Sequence, residues 1–171
     1  MVATRYESPI GPLLIKEDDG FIIEISFMEA DTRVKFRTTT QSDGAANAKG
    51  SKTAQSPGSS VTSACITQLD AYFTGKLQEF TVPIKLIGTD FRKKVWAALM
   101  TIPYGETISY KELALRIGQP KASRAVGGAN NHNPISIIVP CHRVIGANGA
   151  LVGYGGGLGC KEFLLGLEKG H

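Results

Sequence analysis

The chain has 171 residues, of which 42% are hydrophobic and 20% are charged, and its formal net charge is +4 at pH 7. These values are typical of a globular protein with one domain or two small ones. No apolar run approaches the roughly 18 residues of a membrane span, and the N-terminus lacks the apolar core of a signal peptide. The three cysteines are sparse and odd in number, which favours a reducing compartment. We therefore expect a cytoplasmic protein with no membrane partner, no metal and no cofactor.

The charge is unevenly divided along the chain. Residues 1–86 contain nine Lys or Arg and ten Asp or Glu, a net of −1, whereas residues 87–171 contain ten and five, a net of +5. A basic half beside a neutral half indicates contact with a polyanion. A solvated basic surface without a partner explains the charge alone equally well.

The first predicted elements form a small antiparallel sheet. Residues 13–16 and 21–27 are rich in β-prone side chains and are separated by a turn that ends in Asp19-Gly20. An Asp-Gly pair between two such runs is a strong hairpin signal. Residues 38–60 contain almost nothing large and apolar, so they predict a mobile loop.

A helix and an edge strand are predicted next. One helical face is indicated by apolar side chains that recur every four residues, namely Val61, Cys65, Leu69 and Phe73. This spacing places Cys65 in the core. Residues 80–86 resemble a strand, and Pro83 within them restricts it to a sheet edge.

The composition changes near Gly88, where a series of helices begins. Apolar spacing predicts a helix from Thr89 or Asp90 that stops before Pro103, with Trp96 packed beneath it. Ser109 and Glu112 then form a capping box at the start of a helix that ends at Gly118.

A second helix, over residues 121–130, follows closely and completes the outline of a helix-turn-helix in a basic region. Nearly all its side chains are small, so its backbone can approach a partner closely and Arg124 is the one long projecting group. The alternative is a tightly packed helix pair in the core. Burying Arg124 there would be costly, which favours the contact surface.

Cys141 stands out as a candidate nucleophile. The apolar residues 135–139 predict a buried extended segment that ends at Pro140, and His142 and Arg143 follow the cysteine directly. Both basic neighbours favour a thiolate. Adjacent side chains of an extended chain point to opposite faces, so we expect His142 to act through a bridging water. The alternative is a buried cysteine acting only as a small hydrophobe.

A glycine-rich loop and a final helix close the chain. Residues 153–159 lack the pattern of a phosphate loop and instead predict a pocket wall that carries Tyr154. The last helix is predicted from about Cys160 to Glu168, with its inward face made of Phe163, Leu164 and Leu167.

Several of these segments together resemble the O6-alkylguanine-DNA alkyltransferase family. The resemblance spans about residues 88–169 and is carried by residues 123–129, 133–134, 140–144, 154–157 and 161–165. It implies direct-reversal repair, in which an alkyl group moves from O6 of guanine, and less well from O4 of thymine, to the protein's own cysteine, once per molecule.

The resemblance also implies an α+β fold in two domains. Residues 1–87 would be an RNase H-like α/β domain with a small antiparallel sheet, a helix and the flexible loop 38–60. Residues 88–171 would be a mostly helical, winged-helix-like domain that contains the helix-turn-helix and the transfer site.

Catalytic roles follow from the resemblance residue by residue. Cys141 would be the alkyl acceptor, His142 its base through water, and Glu168 the residue that orients the histidine. Asn133 resembles a hinge asparagine, and Tyr110 the donor of a proton to N3 of the departing guanine.

DNA contacts follow in the same way. Arg124 resembles a finger that enters the stack from the minor groove when the alkylated guanine is flipped out. Sequence-independent binding to double-stranded DNA would involve the rest of that helix, namely Lys121, Ala122, Ser123, Ala125 and Gly127. The flipped base would be held by Pro140, Val144, Tyr154 and Gly155. The family implies a monomer, with cooperative binding on DNA left open.

Two other functions are compatible with parts of the pattern. A cysteine hydrolase could use Cys141, His142 and Glu168, but it would need an intermediate that water can cleave. A DNA-binding sensor of alkyl damage, or a plain DNA-binding regulator, would need Arg124 but not Cys141. The zinc site of some relatives is not expected, because no cysteine precedes Cys65.

Overall fold

The computed structural model describes residues 1–28 and 60–170. Three antiparallel strands in the order β1-β2-β3 form the N-terminal sheet: β1 (Val2–Ser8), β2 (Gly11–Asp18) and β3 (Phe21–Phe27). The predicted hairpin is confirmed, and its turn residues Asp19 and Gly20 both have positive φ, as a tight hairpin turn requires. Apart from Ser60, the predicted loop at 38–60 lies outside the described residues.

The predicted helix is present as α1 (Ser60–Phe73), and it packs on this sheet. Its buried residues are Thr62, Cys65, Ile66, Leu69, Tyr72 and Phe73. The predicted edge strand at 80–86 is wrong, because it is reduced to one bridge between Ile84 and Ile22. Ile22 donates to the carbonyl of Pro83 and accepts from Lys85, both at 2.9 Å, and Pro83 has no N–H with which to extend a ladder.

The C-terminal half is mostly helical. Helix α2 (Asp90–Leu99) starts at the predicted place, with the Thr89 hydroxyl accepting from the backbone of Arg92. Helix α3 (Tyr110–Arg116) is capped by Ser109, which accepts from the Glu112 N–H at 3.1 Å. The other half of the expected capping box does not form, because the Glu112 carboxylate pairs with Arg116 one turn later.

Helices α3 and α4 (Ser123–Asn131) form the predicted helix-turn-helix, although α4 begins two residues later than expected. Helix α2 packs against α4, and its Trp96 indole N–H donates to the Ala129 carbonyl at 2.9 Å. Two short parallel strands, β4 (Ile108–Ser109) and β5 (Val144–Ile145), join the start of α3 to the segment after Cys141. The architecture is therefore the α+β arrangement predicted from the sequence.

The segment before Cys141 differs from the prediction. Residues 135–139 turn back on themselves: the Val139 N–H donates to the Ile135 carbonyl, and Ile137 has a φ of 74°. The start of the segment is bound to the end of the sheet, because Ile25 donates to the Pro134 carbonyl at 2.8 Å. Residues Cys141–Arg143 form one 3₁₀ turn rather than the end of a strand.

The final helix, α5 (Leu158–Glu168), has a different inner face from the one predicted. Its buried residues are Lys161, Leu164, Leu165 and Glu168, whereas Phe163 is 41% exposed. The predicted inward position of Phe163 is wrong. The buried face of the helix includes the charged side chains of Lys161 and Glu168, which a prediction from apolar spacing does not place inside. Among the described helices, none is long and apolar enough to cross a membrane.

The sheet and the glycine-rich loop meet through an aromatic contact at the end of β3. The Phe27 ring lies edge-on to Tyr154, with the ring centroids 5.4 Å apart. It also covers Gly156 so closely that a Cβ there would lie 2.6 Å from the ring. Only a residue without a side chain fits beneath Phe27.

We expect Gly156→Ala to lower the free energy of unfolding by about 1–3 kcal/mol, because the added methyl group must displace the Phe27 ring. Urea unfolding followed by circular dichroism measures the change. The matched control is Gly155→Ala, since a Cβ at Gly155 has no atom within 4 Å. Equal stability of the two variants would contradict the close packing described for Phe27.

Candidate active site

A buried carboxylate on α5 organises the site. Glu168 Oε1 accepts from the Tyr72 hydroxyl and faces His142 Nε2, both at 2.7 Å. Arg143 donates from Nη2 to Oε1 at 2.9 Å and from Nε to Oε2 at 2.8 Å. The Gly105 N–H lies 3.4 Å from Oε2. The donors outweigh the effect of burial and lower the pKa of Glu168 to about 2, so the group is ionised at neutral pH.

This carboxylate fixes the tautomer of His142. An ionised carboxylate can only accept, so the proton of the neutral imidazole lies on Nε2 and Nδ1 has the free lone pair. His142 is fully buried, and within the described part of the chain Nδ1 has no hydrogen-bond partner. Burial lowers the pKa of His142, against the opposing effect of Glu168. His142 is therefore a neutral base with one atom available to take a proton.

Cys141 begins the same 3₁₀ turn and is only 5% exposed. Burial raises the pKa of its thiol, while a hydrogen bond from the Asn133 side chain and the charge of Lys161 act in the opposite direction. The resting thiol is thus protonated, and its surroundings hold two groups that favour the thiolate.

Lys161 is a site residue that the sequence reasoning missed. Its side chain is fully buried, and Nζ donates to the carbonyls of Val144 at 2.6 Å and Val152 at 2.9 Å. The available signal was its position seven residues before Glu168, with leucines at 164 and 165 between them, which is the spacing of one helical face. The ammonium group joins β5 to the start of the glycine-rich loop and supplies positive charge near the thiol.

Two asparagines hold the cysteine segment against α4. Asn133 donates from Nδ2 to the Val139 carbonyl at 2.7 Å and accepts from the Ile135 N–H at 3.0 Å, which stabilises the reversal of the chain before Cys141. Asn130 lies 3.4 Å from the Cys141 carbonyl through Nδ2. Asn133 thus lies between α4 and the cysteine segment, and its role as a hinge stays a prediction.

Two tyrosines come close enough to Cys141 for its charge to affect them. The Tyr110 hydroxyl donates to the Val152 carbonyl at 3.1 Å. Burial raises the pKa of Tyr110, the Cys141 charge raises it further, and Asn130 lowers it. Burial also raises the pKa of Tyr154, whose hydroxyl has no hydrogen-bond partner among the described residues.

Helix α4 presents Arg124 and Ala125 to solvent, and Lys121 precedes the helix as a third exposed residue. Ala122 and Ser123 are partly buried at its start. Gly127 lies on the inner side instead, where a Cβ would contact the Tyr110 ring at 3.7 Å. A Cβ at this distance would make an ordinary van der Waals contact, so the packing of Tyr110 does not itself require glycine, and contact of Gly127 with DNA stays a prediction.

The structure brings most of the predicted site residues to one place. Cys141, His142 and Glu168 share the 3₁₀ turn and the helix behind it, while Pro140, also buried, leads into the turn and Val144 leads out of it. Gly155 lies in the exposed loop beside Tyr154. Among the described residues, no group of three or more His, Cys, Asp or Glu side chains is placed to hold a metal.

The fold and site define a protein with a helix-turn-helix and a buried cysteine that is followed directly by a buried histidine bonded to a carboxylate. Two family descriptions match the chain: the ribonuclease-like domain of 6-O-methylguanine DNA methyltransferase over residues 1–86, and the DNA-binding domain of the same protein over residues 90–170. The chain belongs to this family of methylated-DNA–protein-cysteine methyltransferases.

Individual relatives agree with this assignment. The methylated-DNA–protein-cysteine methyltransferase of Mycobacterium tuberculosis is 48% identical over 95% of this chain and 89% of its own length. The enzyme of the same name from Methanosarcina acetivorans is 49% identical over 95% of each chain. A crystal structure of Mycobacterium tuberculosis OGT in complex with DNA superimposes with a TM-score of 0.78 and 48% identity, covering 97% of this chain and 91% of that one.

Because the pKa of Glu168 is depressed to about 2, its interactions stabilise the fold above the usual value near 4.5 and are lost as the pH falls toward 2. We expect the difference in unfolding free energy between wild type and Glu168→Gln to be largest above about pH 5 and to shrink on acidification. Urea unfolding at a series of pH values measures it. A difference that stays constant from pH 6 to pH 2 would show that the carboxylate is not selectively stabilised as an anion.

Proposed function

We propose that this chain repairs alkylated DNA by moving an alkyl group from O6 of guanine, and less well from O4 of thymine, onto Sγ of Cys141, once per molecule. The observation that carries this proposal is the 2.7 Å contact between His142 Nε2 and Glu168 Oε1 directly after Cys141, which supports a relay of Cys141, His142 and Glu168. One nitrogen of the histidine is bound to the carboxylate, the other has no hydrogen-bond partner among the described residues, and the preceding residue is the buried Cys141. That is the arrangement of a nucleophile, a base and the group that orients the base.

The transfer begins with a proton shift. His142 Nδ1 takes the thiol proton through a bridging water, and Glu168 stabilises the resulting imidazolium. Sγ of Cys141 then attacks the alkyl carbon, a C–S bond forms and the bond from that carbon to O6 breaks. The thioether product has no bond that water readily cleaves, so each molecule reacts once.

Tyr110 assists departure of the guanine by donating its proton to N3, so that a neutral base leaves. Once proton transfer has formed the Cys141 thiolate, its charge raises the pKa of Tyr110, which keeps the tyrosine proton in place until the alkyl group moves. Alkylation neutralises the sulfur and removes that effect. Tyr110 therefore becomes a better proton donor at the moment when guanine needs the proton.

DNA reaches the site across helix α4. The reactive sulfur is buried, so a stacked guanine cannot contact it and the nucleotide must be flipped out. We propose that Arg124, exposed on α4, fills the gap from the minor groove, with Ala125 allowing close approach of the helix to the backbone. The flipped base is held by the backbone around Pro140, Val144 and Gly155 and by the Tyr154 ring.

The same proposal covers the organisation of the protein. Residues 1–87 form a ribonuclease-like domain and residues 88–171 the DNA-binding and transfer domain, supported by the family matches to each half. We propose a cytoplasmic monomer that binds double-stranded DNA without sequence preference, since a repair protein must scan all sequences. A cysteine hydrolase is the second candidate, because the relay would also serve a turnover reaction.

The central test is the intact mass of the protein after mixing with excess duplex DNA that contains one O6-methylguanine. We expect a gain of one methyl group that plateaus at one per molecule and maps to Cys141, with Cys65 and Cys160 unmodified. Cys141→Ala, the matched control, should gain no mass while still binding DNA. Loss of the lesion without a change in protein mass would favour the hydrolase.

Arg124→Ala should slow repair in duplex DNA at least tenfold while leaving the reaction with free O6-benzylguanine within about twofold, because only the duplex substrate needs a flipped nucleotide held out. Single-turnover rates measure both. Arg5→Ala, which removes an exposed arginine from β1, is the control for loss of one charge. Equal slowing of both substrates by Arg124→Ala would remove the role proposed for this residue.

A further inference from the structure

Among the described residues, the Glu168 carboxylate accepts one side-chain hydrogen bond from the N-terminal half of the chain. Tyr72 lies near the end of α1, is fully buried, and donates from its hydroxyl to Glu168 Oε1 at 2.7 Å. The same oxygen faces His142 Nε2 at 2.7 Å. The tyrosine therefore shares one acceptor atom with the base of the proposed reaction.

We propose that Tyr72 is a positioning residue of the transfer reaction, whose hydroxyl holds the Glu168 carboxylate in place and limits the basicity that Glu168 confers on His142. This inference rests on the proposed function, because it assigns Tyr72 to the relay described there. The proposed role makes Tyr72 a residue of the transfer site that lies within residues 1–86, the half matched by the ribonuclease-like family description.

Aromatic packing fixes the position of the Tyr72 hydroxyl. The Tyr72 ring is held on several sides by other aromatic rings: its centroid lies 5.4 Å from that of Phe73, 5.4 Å from that of Phe80 and 6.2 Å from that of Tyr104. A hydroxyl on a ring packed in this way has little freedom, so it fixes the direction from which Oε1 can accept. The carboxylate is then held from α1 as well as from the 3₁₀ turn.

The Tyr72 hydroxyl also acts electrostatically on the Glu168 carboxylate. A donor on Oε1 draws electron density from the atom that accepts from His142, so the carboxylate stabilises the imidazolium less than it would alone. Removing the hydroxyl should make Glu168 a stronger acceptor and raise the pKa of His142. The direction is fixed, because every donor removed from a carboxylate makes that carboxylate more basic.

Other charged and titratable groups also face the relay and remain in place when Tyr72 is changed. They come from each element packed around it and are Cys141 and Arg143 in the 3₁₀ turn, Tyr104 after α2, Tyr154 in the glycine-rich loop and Lys161 on α5. Because these groups are the same in wild type and variant, a change in the titration of His142 reports on the missing hydroxyl.

Tyr6 provides a matched control. It is also a buried tyrosine of the N-terminal half, and its hydroxyl donates to a carboxylate, Asp70 Oδ1, at 2.6 Å. Neither residue belongs to the relay. Tyr6→Phe and Tyr72→Phe therefore remove the same kind of bond from the same half of the protein, and only the second touches Glu168.

The experiment measures the rate at which iodoacetamide alkylates Cys141 between pH 5 and pH 9, with mass spectrometry of the Cys141 peptide. This reaction needs the thiolate and its base but no DNA. We expect the acid-side midpoint of the Tyr72→Phe profile to lie about half a unit to one unit above that of wild type. Reactivity relative to the alkaline plateau then falls by about three- to tenfold at pH values well below both midpoints. Tyr6→Phe should superimpose on wild type.

Two cysteines in each sample serve as internal references. Cys160 is partly buried and lies outside the relay, so its pH profile should not differ among the variants. Cys65 is in the core and becomes reactive only if the protein unfolds. A Tyr72→Phe profile that matches Tyr6→Phe would overturn the inference and leave Tyr72 as a packing residue.

A second variant keeps the test decisive if loss of the hydroxyl prevents folding. Site-specific 3-fluorotyrosine at position 72 retains the ring and the hydrogen bond but has a more acidic hydroxyl, which is a stronger donor. It should move the Cys141 midpoint to lower pH, opposite to the phenylalanine variant. No shift with fluorotyrosine would overturn the inference even if Tyr72→Phe cannot be studied.

Repeating the pH series with duplex O6-methylguanine as substrate separates the two proposals. If wild type transfers no methyl group but the iodoacetamide midpoint moves as expected, the substrate assignment fails and the role of Tyr72 stands. If wild type transfers the methyl group and no midpoint moves, the repair function stands and the role of Tyr72 fails.

Discussion

The ion pair between Glu168 and Arg143 is the interaction on which the site depends. A carboxylate buried alone would cost several kcal/mol, and a buried guanidinium would cost a similar amount. Here they satisfy each other through two hydrogen bonds, and the remaining guanidinium nitrogen donates to the Ile102 carbonyl at 2.6 Å. Because Arg143 shares its 3₁₀ turn with Cys141, the same ion pair that anchors α5 also fixes where the nucleophile lies.

The charges of the relay are arranged so that the proton can move without a net change in buried charge. Burial raises the pKa of Cys141 and lowers that of His142, so the resting pair is a neutral thiol and a neutral imidazole. Proton transfer creates an anion and a cation together, the cation beside Glu168 and the anion within reach of the Lys161 charge. In the proposed transfer, each new charge therefore has a partner of opposite sign.

The predicted structure is correct where neighbouring residues determine it, and it is wrong where contacts with distant residues determine it. The start of α2, the Ser109 cap and the hairpin at Asp19 depend on neighbouring residues, and each forms as predicted apart from the Glu112 half of the capping box. Cys141 could be singled out by its neighbours, whereas the role of Glu168 came from family resemblance. Residues 135–139 have the composition of a strand, yet their hydrogen bonds go to the sheet and to one another. The burial of Lys161 beside the site was not predicted, because apolar periodicity does not reveal a buried cation.

The N-terminal half is part of the site rather than an addition to it. It contacts three separate components: Ile25 is bonded to the segment before Cys141, Phe27 covers the loop that holds Tyr154, and Tyr72 bonds to Glu168. Ile25 and Phe27 belong to one strand, and the helix that carries Tyr72 packs on the same sheet. Since close-packed interiors transmit displacements, a shift of this sheet would move the cysteine segment, the pocket wall and the carboxylate together. The positions of Cys141, His142 and Glu168 therefore depend on contacts with the N-terminal half, although Cys141 and His142 lie within a single 3₁₀ turn.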